Sequence, residues 1–285
     1  NGYIASSVTQ RLLEEGFRVT GLSIEEKPFI SHPNLKYIQV DLTNRLKVQS
    51  VIENNDIDVM LHFAAIAHRV KGQDVPDYIY TRVNYLASKN LFRCAYAKNI
   101  RIFFASTVDV YGACRESVWS EEIIPKPVGV YAKTKYMAER ALQQIYGDRR
   151  DKYLIGRLAP VYSSDNMKDV YKRIYVKYPK LAITLKSNPS YDFLALGNLV
   201  HFISQWLKNP DALSGVINIC DEKGITGSEF VRLERKLGRA GKIIGVPGVL
   251  ASLVSIAANR LLQSESKGEL GFALVKMFAP RPVDR

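Results

Sequence analysis

The chain has 285 residues, 47% of them hydrophobic, and a formal net charge of +12. That length and composition allow a large buried core and exclude a disordered or fibrous chain. Cys94, Cys114 and Cys220 are widely spaced and odd in number, and His32, His62, His68 and His201 show no ligand spacing, so neither a disulfide framework nor a metal site is expected. No secretory pattern is visible at the start, and a reducing cytoplasm is the expected location. Basic residues are dispersed among acids, as in Arg11–Glu14–Glu15, without a basic stripe interleaved with aromatics. Nucleic acid is therefore not expected as a partner, and a phosphorylated small molecule suits the charge better.

Along the chain, short β-rich runs alternate with helical stretches. Strands are expected at Phe17–Leu22, Lys36–Val40, Ile57–Phe63 and Arg101–Ala105; the last two are near-continuous apolar runs, as in a parallel sheet covered on both faces. Helices fit at Ser6–Glu15, Leu46–Asn54, Tyr78–Lys98 and Tyr131–Tyr146. This alternation predicts an α/β fold with a doubly wound parallel sheet and ligands at the carboxyl ends of its strands. Residues 1–157 are expected to form this domain. Residues 158–285 are expected to form mainly a smaller C-terminal substrate lobe, with helices at Val170–Tyr178, Asn198–Leu207 and Ser228–Leu237 and some segments returning to the first domain. The apolar run Ile243–Ala258 falls short of the ~20 residues that span a bilayer, so no membrane span is expected. It reads as a buried or amphipathic helix rather than an anchor. Because Asn1–Gly2 runs straight into a helix, the first strand of such a fold is expected to lie before this numbering.

The chemistry rests on two segments. In Tyr131-Ala-Lys-Thr-Lys135 the tyrosine and the second lysine lie at i and i+4, on one face of a helix. An ammonium there lowers the phenol pKa, so that the tyrosine can exchange a proton with a sugar oxygen. Upstream, Phe103 to Gly112 reads as a buried strand ending in Ser106 and Thr107, then a turn. Thr107 could hydrogen-bond the reacting oxygen.

Together these residues resemble the extended short-chain dehydrogenase/reductase superfamily, its NAD-dependent epimerase/dehydratase branch, over nearly the whole chain. The resemblance implies a Rossmann-type fold and NAD(P) as cofactor, with NAD against NADP left open. It implies a nucleotide-diphosphate sugar as substrate, a homodimer paired through Tyr78–Lys98 and Tyr131–Tyr146, and a place in polysaccharide biosynthesis. Gly2-Tyr3-Ile4-Ala5 resembles the end of the family's glycine-rich turn, with Ala5 in place of its last glycine. Asp41-Leu42 resembles the pair that contacts adenine, His62-Phe63-Ala64-Ala65 the turn beside the cofactor, and Asn84 the helix asparagine that supports the site. His62 itself reads as a packed core histidine. Ser23 stands where NAD-preferring members carry an acid. Catalysis is implied for Thr107, Tyr131 and Lys135. Substrate contacts are implied for Thr107, Val108, Asp109 and Pro160, and for Arg281 and Asp284 in an Arg-x-x-Asp pattern whose arginine grips the diphosphate. Val108 replaces the acid of the family's 4,6-dehydratases. Tyr191 replaces an arginine, and Ser163-Ser164 a Gly-Pro. The implied activities are a sugar-nucleotide epimerase with transient oxidation at C4 or a 4-keto reductase of N-acetylhexosamine type; a cofactor-binding scaffold that has lost catalysis is the third reading. The family continues beyond Arg285, so more chain is expected on that side too.

Overall fold

The structure is a computed structural model that describes residues 1–67, 75–114, 116–177, 181–185, 188–239, 241–262, 268–278 and 280–284. His68 and Tyr178 lie outside these residues. Two compact units form, each from several segments of chain: residues 1–106, 130–157 and 196–217 in the first, and residues 107–129, 158–195 and 218–285 in the second.

In the first unit, helix α1 (Tyr3–Glu14) leads into strand β1 (Val19–Ser23), which pairs in parallel with β2 (Leu35–Gln39). Helix α2 (Arg45–Glu53) starts on Asn44, whose side chain accepts from the Lys47 N–H. Strand β3 (Val59–His62) then runs parallel to β4 (Arg101–Thr107). Between them lie α3 (Asp77–Tyr80), a π-helical segment at Thr81–Ala87 and α4 (Ser88–Ala97). Helix α5 (Val130–Tyr146) follows, then β5 (Tyr153–Leu158).

Strand β4 is buried from Arg101 to Ser106; it has period two, and its two faces meet different helices. Ile102 and Phe104 join a core with Ile52 of α2, Phe92 of α4 and Leu142 of α5. Phe103 points the other way, its ring 5.9 Å from that of Trp206 on helix α7 (Leu196–Lys208, described below with its neighbours). Both faces of the strand are therefore covered, which is why Arg101 to Ala105 reads as a near-continuous apolar run. Glu15, just after α1, ties to α7 through Ser204 at 2.7 and 2.9 Å and Lys208 at 3.0 Å. These bonds hold its carboxyl down at about 2.

In the second unit, β6 (Val161–Tyr162) precedes α6 (Lys168–Ile174), β7 (Tyr175–Lys177) and β8 (Leu181–Leu185). Short strands β9 (Ser190–Tyr191) and β10 (Leu194–Ala195) lead into α7 of the first unit, and β11 (Gly215–Ile219) returns. The central sheet has the order β11-β5-β4-β3. Then come β12 (Ile225–Thr226), α8 (Gly227–Lys236), β13 (Lys242–Val246), α9 (Gly248–Leu261) and α10 (Gly268–Phe278). Strand β8 sits between β7 and β13 in a separate three-stranded sheet. Thr226 and Glu229 cap α8 reciprocally.

Two expected helices are corrected. The one expected at Val170–Tyr178 ends at Ile174, because Tyr175–Lys177 pair antiparallel with β8. The run Ile243–Ala258 is not one helix. Its first four residues belong to β13, parallel to β8, and the helix starts only after Pro247. A strand-forming Ile-Ile-Gly-Val followed by Pro-Gly is where the run divides.

Gly112 shows how tightly the turn after β4 is held. Its φ is +49°, and an added Cβ would lie 2.2 Å from the Lys126 carbonyl oxygen and 2.8 Å from the Val128 nitrogen. Gly112→Ala combines a left-handed backbone with a backbone clash, so it should cost more than ~1 kcal/mol. Urea unfolding of both proteins measures this.

Candidate active site

Tyr131, Lys135 and Glu139 follow one another at i, i+4 and i+8 on α5. Glu139 is buried and pairs with Arg157 of β5 at 2.9 Å, and it accepts from Ser106 of β4. This pins the helix against two neighbouring strands. Lys135 is also buried, its Nζ 4.0 Å from the centre of the Phe104 ring. Burial lowers its pKa to about 7, against an opposing pull from Glu139.

Asn84 lies in the π-helical segment and is fully buried. Its side chain accepts from the Ile66 N–H at 2.8 Å and donates to the Ile66 carbonyl at 3.0 Å. It also donates to Thr134 of α5 at 3.2 Å. One asparagine thus links the turn holding Ala64 and Ala65 to the helix holding Tyr131 and Lys135. A π-turn re-aims a side chain in this way. His62 packs in the core, 5.5 Å from Phe104 and 5.8 Å from Phe92 by ring centres, and its Nε2 meets Ser88 Oγ at 2.7 Å. Burial, with Lys135 nearby, lowers its pKa to about 3.

The remaining first-unit residues sit at the start of α1 or at strand ends. Gly2 is the N-cap of α1, with no atom within 4 Å of an added Cβ; Tyr3 and Ile4 open the helix. Ser23 ends β1, its Oγ accepting from the Glu25 N–H. The Ser23 carbonyl accepts from Val40, which brings the ends of β1 and β2 together. Asp41 follows there and accepts from the Thr43 N–H in a tight turn before the Asn44 cap. Leu42 packs on the core, and Phe63 follows β3 with its ring 5.8 Å from that of Phe103.

The chain passes to the second unit at Thr107, whose Oγ1 accepts from the Asp109 N–H and caps a short 3₁₀ turn. That unit holds a cleft of about 470 Å³, open mouth included, lined by Val108, Asp109, Pro160, Arg173, Tyr191, Lys276 and Arg281 among others. Four of the expected substrate residues, Val108, Asp109, Pro160 and Arg281, thus share one cleft; Thr107 and Asp284 do not line it. Asp109 pairs with Lys276 at 2.5 Å. Arg281 also donates to Asn259 at 3.4 Å, and the Asp284 N–H donates to the Trp119 carbonyl. Tyr191 donates to the Met277 carbonyl at 2.7 Å, and burial pushes its phenol up to about 12.

Sequence reading missed Arg173 and Lys276. Neither carries a local signal, because the cleft is assembled from segments more than a hundred residues apart in part, as the Asp109–Lys276 pair illustrates. It also missed the Glu139–Arg157 pair. An acid eight positions after Tyr131, on the same helix face, was the available hint. Among the described residues no cluster of His, Cys, Asp and Glu could hold a metal.

Lys135 gives a pH dependence with a definite sign. An unfolded lysine keeps its proton to about 10.5, whereas the folded one releases it above about 7. Between those values the unfolded state binds more protons, so this residue's contribution to stability rises with pH. Lys135→Met should flatten the pH dependence of the unfolding free energy across that window. Urea titrations of both proteins at several pH values test it, and parallel curves would contradict the assignment.

Comparison with known proteins gives the family. The model of the NAD dependent epimerase/dehydratase family matches residues 1–220. The mouse dTDP-D-glucose 4,6-dehydratase is 30% identical over 172 residues, 56% of this chain and 48% of that protein. The chain spans about half the length of the curated relatives it matches. Among solved structures, the Campylobacter jejuni UDP-Glc/GlcNAc 4-epimerase superposes with a TM-score of 0.70 at 20% identity, covering 86% of this chain and 84% of that one. The Bacillus cereus UDP-glucuronic acid 4-epimerase in complex with NAD gives 0.68 at 20% identity, covering 86% and 85%. These likenesses carry the fold, a Rossmann-type α/β arrangement, and with the family model they make the chain a member of the NAD-dependent epimerase/dehydratase family.

Proposed function

We propose that this chain is an NAD(P)-dependent enzyme acting on a nucleotide-diphosphate sugar, an epimerase that oxidises the sugar transiently, at C4. The observation that carries the reading is the setting of Tyr131 and Lys135 on α5. A helix pinned by a buried ion pair presents a tyrosine and, one turn on, a buried lysine.

The residues present fit a dinucleotide. Gly2 leaves open space at the start of α1, and Ser23, Asp41, Leu42, Phe63, Ala64 and Ala65 lie at or just after strand carboxyl ends. With Tyr3, Ile4, Asn84 and Lys135 they would hold the cofactor. When bound, nicotinamide would supply hydride transfer at the sugar carbon, accepting the hydride and later returning it. Tyr131 takes the proton of the hydroxyl on that carbon and gives it back when the hydride returns, and Thr107 orients the oxygen through its own hydroxyl. Lys135 holds the cofactor ribose and favours the ionised form of Tyr131. Val108, Asp109 and Pro160 line the sugar's side, and Arg281 with Asp284 receives the diphosphate. The proposal keeps residues 1–157 mainly for cofactor and 158–285 mainly for substrate. It includes a cytoplasmic homodimer paired through α3–α4 and α5.

Ser23 favours a second reading, a 4-keto reductase using NADPH. No carboxylate stands there to repel a 2′-phosphate. Cofactor retained through purification supports the epimerase; an exchangeable cofactor and consumption of a 4-keto sugar support the reductase.

Two substitutions test the assignment. Tyr131→Phe keeps the ring and removes the proton, so turnover of the nucleotide sugar should fall by ~10²-fold or more while NAD binding survives. Unchanged turnover would name the wrong tyrosine. Arg281→Ala should weaken UDP binding by roughly 1.5–3 kcal/mol, the range for hydrogen bonds to charged groups. Lysine should restore part of this, and NAD affinity should hold. Calorimetric titration separates these outcomes, and unchanged UDP affinity would place Arg281 outside the substrate site.

A further inference from the structure

Helix α9 carries its apolar face outward. Val249, Leu250, Leu253 and Ile256 are 74%, 53%, 57% and 53% exposed, whereas Ala251 and Ala258 on the other side are buried. Val249, Leu253, Ile256 and Arg260 fall at i, i+4, i+7 and i+11, a single stripe. The inward side is fixed by α10. An added Cβ on Gly271 would lie 2.7 Å from the Ala258 carbonyl oxygen and 2.6 Å from the Leu262 nitrogen, so the two backbones touch. The helix therefore cannot roll to bury its apolar stripe without losing that contact. Strand β13 continues the feature. It is the edge of its sheet, and Ile244 is 42% exposed two residues after exposed Lys242.

The cations that bracket this stretch of chain are Lys242, before it, and Arg260, on the stripe itself near the end of the helix, both exposed. Helix α8, upstream in the chain, carries exposed Arg232, Arg235 and Lys236 and the buried Glu234, and the acids Glu265 and Glu269 follow α9 in the sequence. No charge at all falls between Lys242 and Arg260. An uncharged apolar surface of this kind marks an interaction site. A second copy of the same face would bring like charges together. An anionic bilayer surface supplies both an apolar layer for the stripe and negative headgroups for the basic residues at its ends. We propose that the α9 face docks this protein on anionic membrane surfaces as a peripheral protein, independently of the catalytic reading.

The test is flotation of the purified protein with vesicles of phosphatidylcholine alone, or of phosphatidylcholine and phosphatidylglycerol in equal parts. Wild type should float with the anionic vesicles, fail to float with the neutral ones, and be released by high salt. The double substitution Leu253→Ser, Ile256→Ser should abolish flotation with no loss of thermal stability, since both side chains are exposed. Val249→Glu is an independent second variant with the same expected outcome. Absence of wild-type binding to anionic vesicles, or equal flotation of the variants, overturns the proposal. So does light scattering that finds a wild-type oligomer dissolved by the same substitutions, because the face would then belong to a second copy.

Discussion

The buried carboxylate of Glu139 fixes the first unit. It takes hydrogen bonds from Arg157 on β5 and Ser106 on β4, so α5 is held across two adjacent strands at one point. A buried charge with its partner removed is strongly destabilising, which makes this pairing a constraint on how the helix can turn. With Glu139 set, the i−4 position must lie over the same sheet, and Lys135 is found above the Phe104 ring. The i−8 position, Tyr131, follows from helix geometry. The carboxylate also acts on the lysine electrostatically, opposing the desolvation that lowers its pKa. Position and charge of the proposed catalytic pair thus depend on a residue that does no chemistry itself.

Strand β4 serves both units through successive residues. Phe104 and Ser106 work in the first unit, one under Lys135 and one on Glu139. Thr107 to Asp109 belong to the second, where Thr107 caps the turn and Asp109 enters the cleft. In that cleft the Asp109 carboxylate engages Lys276, whose Nζ also lies 4.3 Å over the Phe272 ring. Arg173 and Arg281 line the same cleft, and Asp192 is the other acid there; its carboxylate accepts from the Val283 N–H. Asp169 also acts on Arg173 and Lys276, so the cations of this cleft are set among carboxylates, and Arg281 is the one proposed to receive the diphosphate.

Much of this was legible in the sequence because it is local. Strand and helix periodicity fixed β1 to β4 and α1, α2 and α5 to within a few residues, and Tyr131 and Lys135 stand four apart. The illegible parts depend on distant pairing. Nothing near Tyr175 announces that it will pair with Ala182 and stop α6. Arg157 reads as one basic residue in an apolar strand until Glu139 lies against it. Lys276 belongs to a helix the periodicity did not single out. The Ile243–Ala258 run is a different failure. A continuous apolar stretch does not distinguish strand from helix, and the Pro-Gly that divides it was the stronger local signal.

Two basic groups share the apolar surroundings of Phe104, and burial treats both alike. It lowers the His62 pKa to about 3 and that of Lys135 to about 7. Near neutral pH the histidine is therefore uncharged, and of these two groups Lys135 is the one that carries positive charge. Its ammonium is close to balance with the amine, held by Glu139 and opposed by desolvation. An anion bound beside it, whether tyrosinate or phosphate, shifts that balance toward the ammonium. By linkage, proton uptake and anion binding then favour each other. A lysine left fully in water would be charged already and could gain nothing from such coupling. Burying Lys135 costs stability below its depressed pKa, and in exchange its charge responds to what binds next to it.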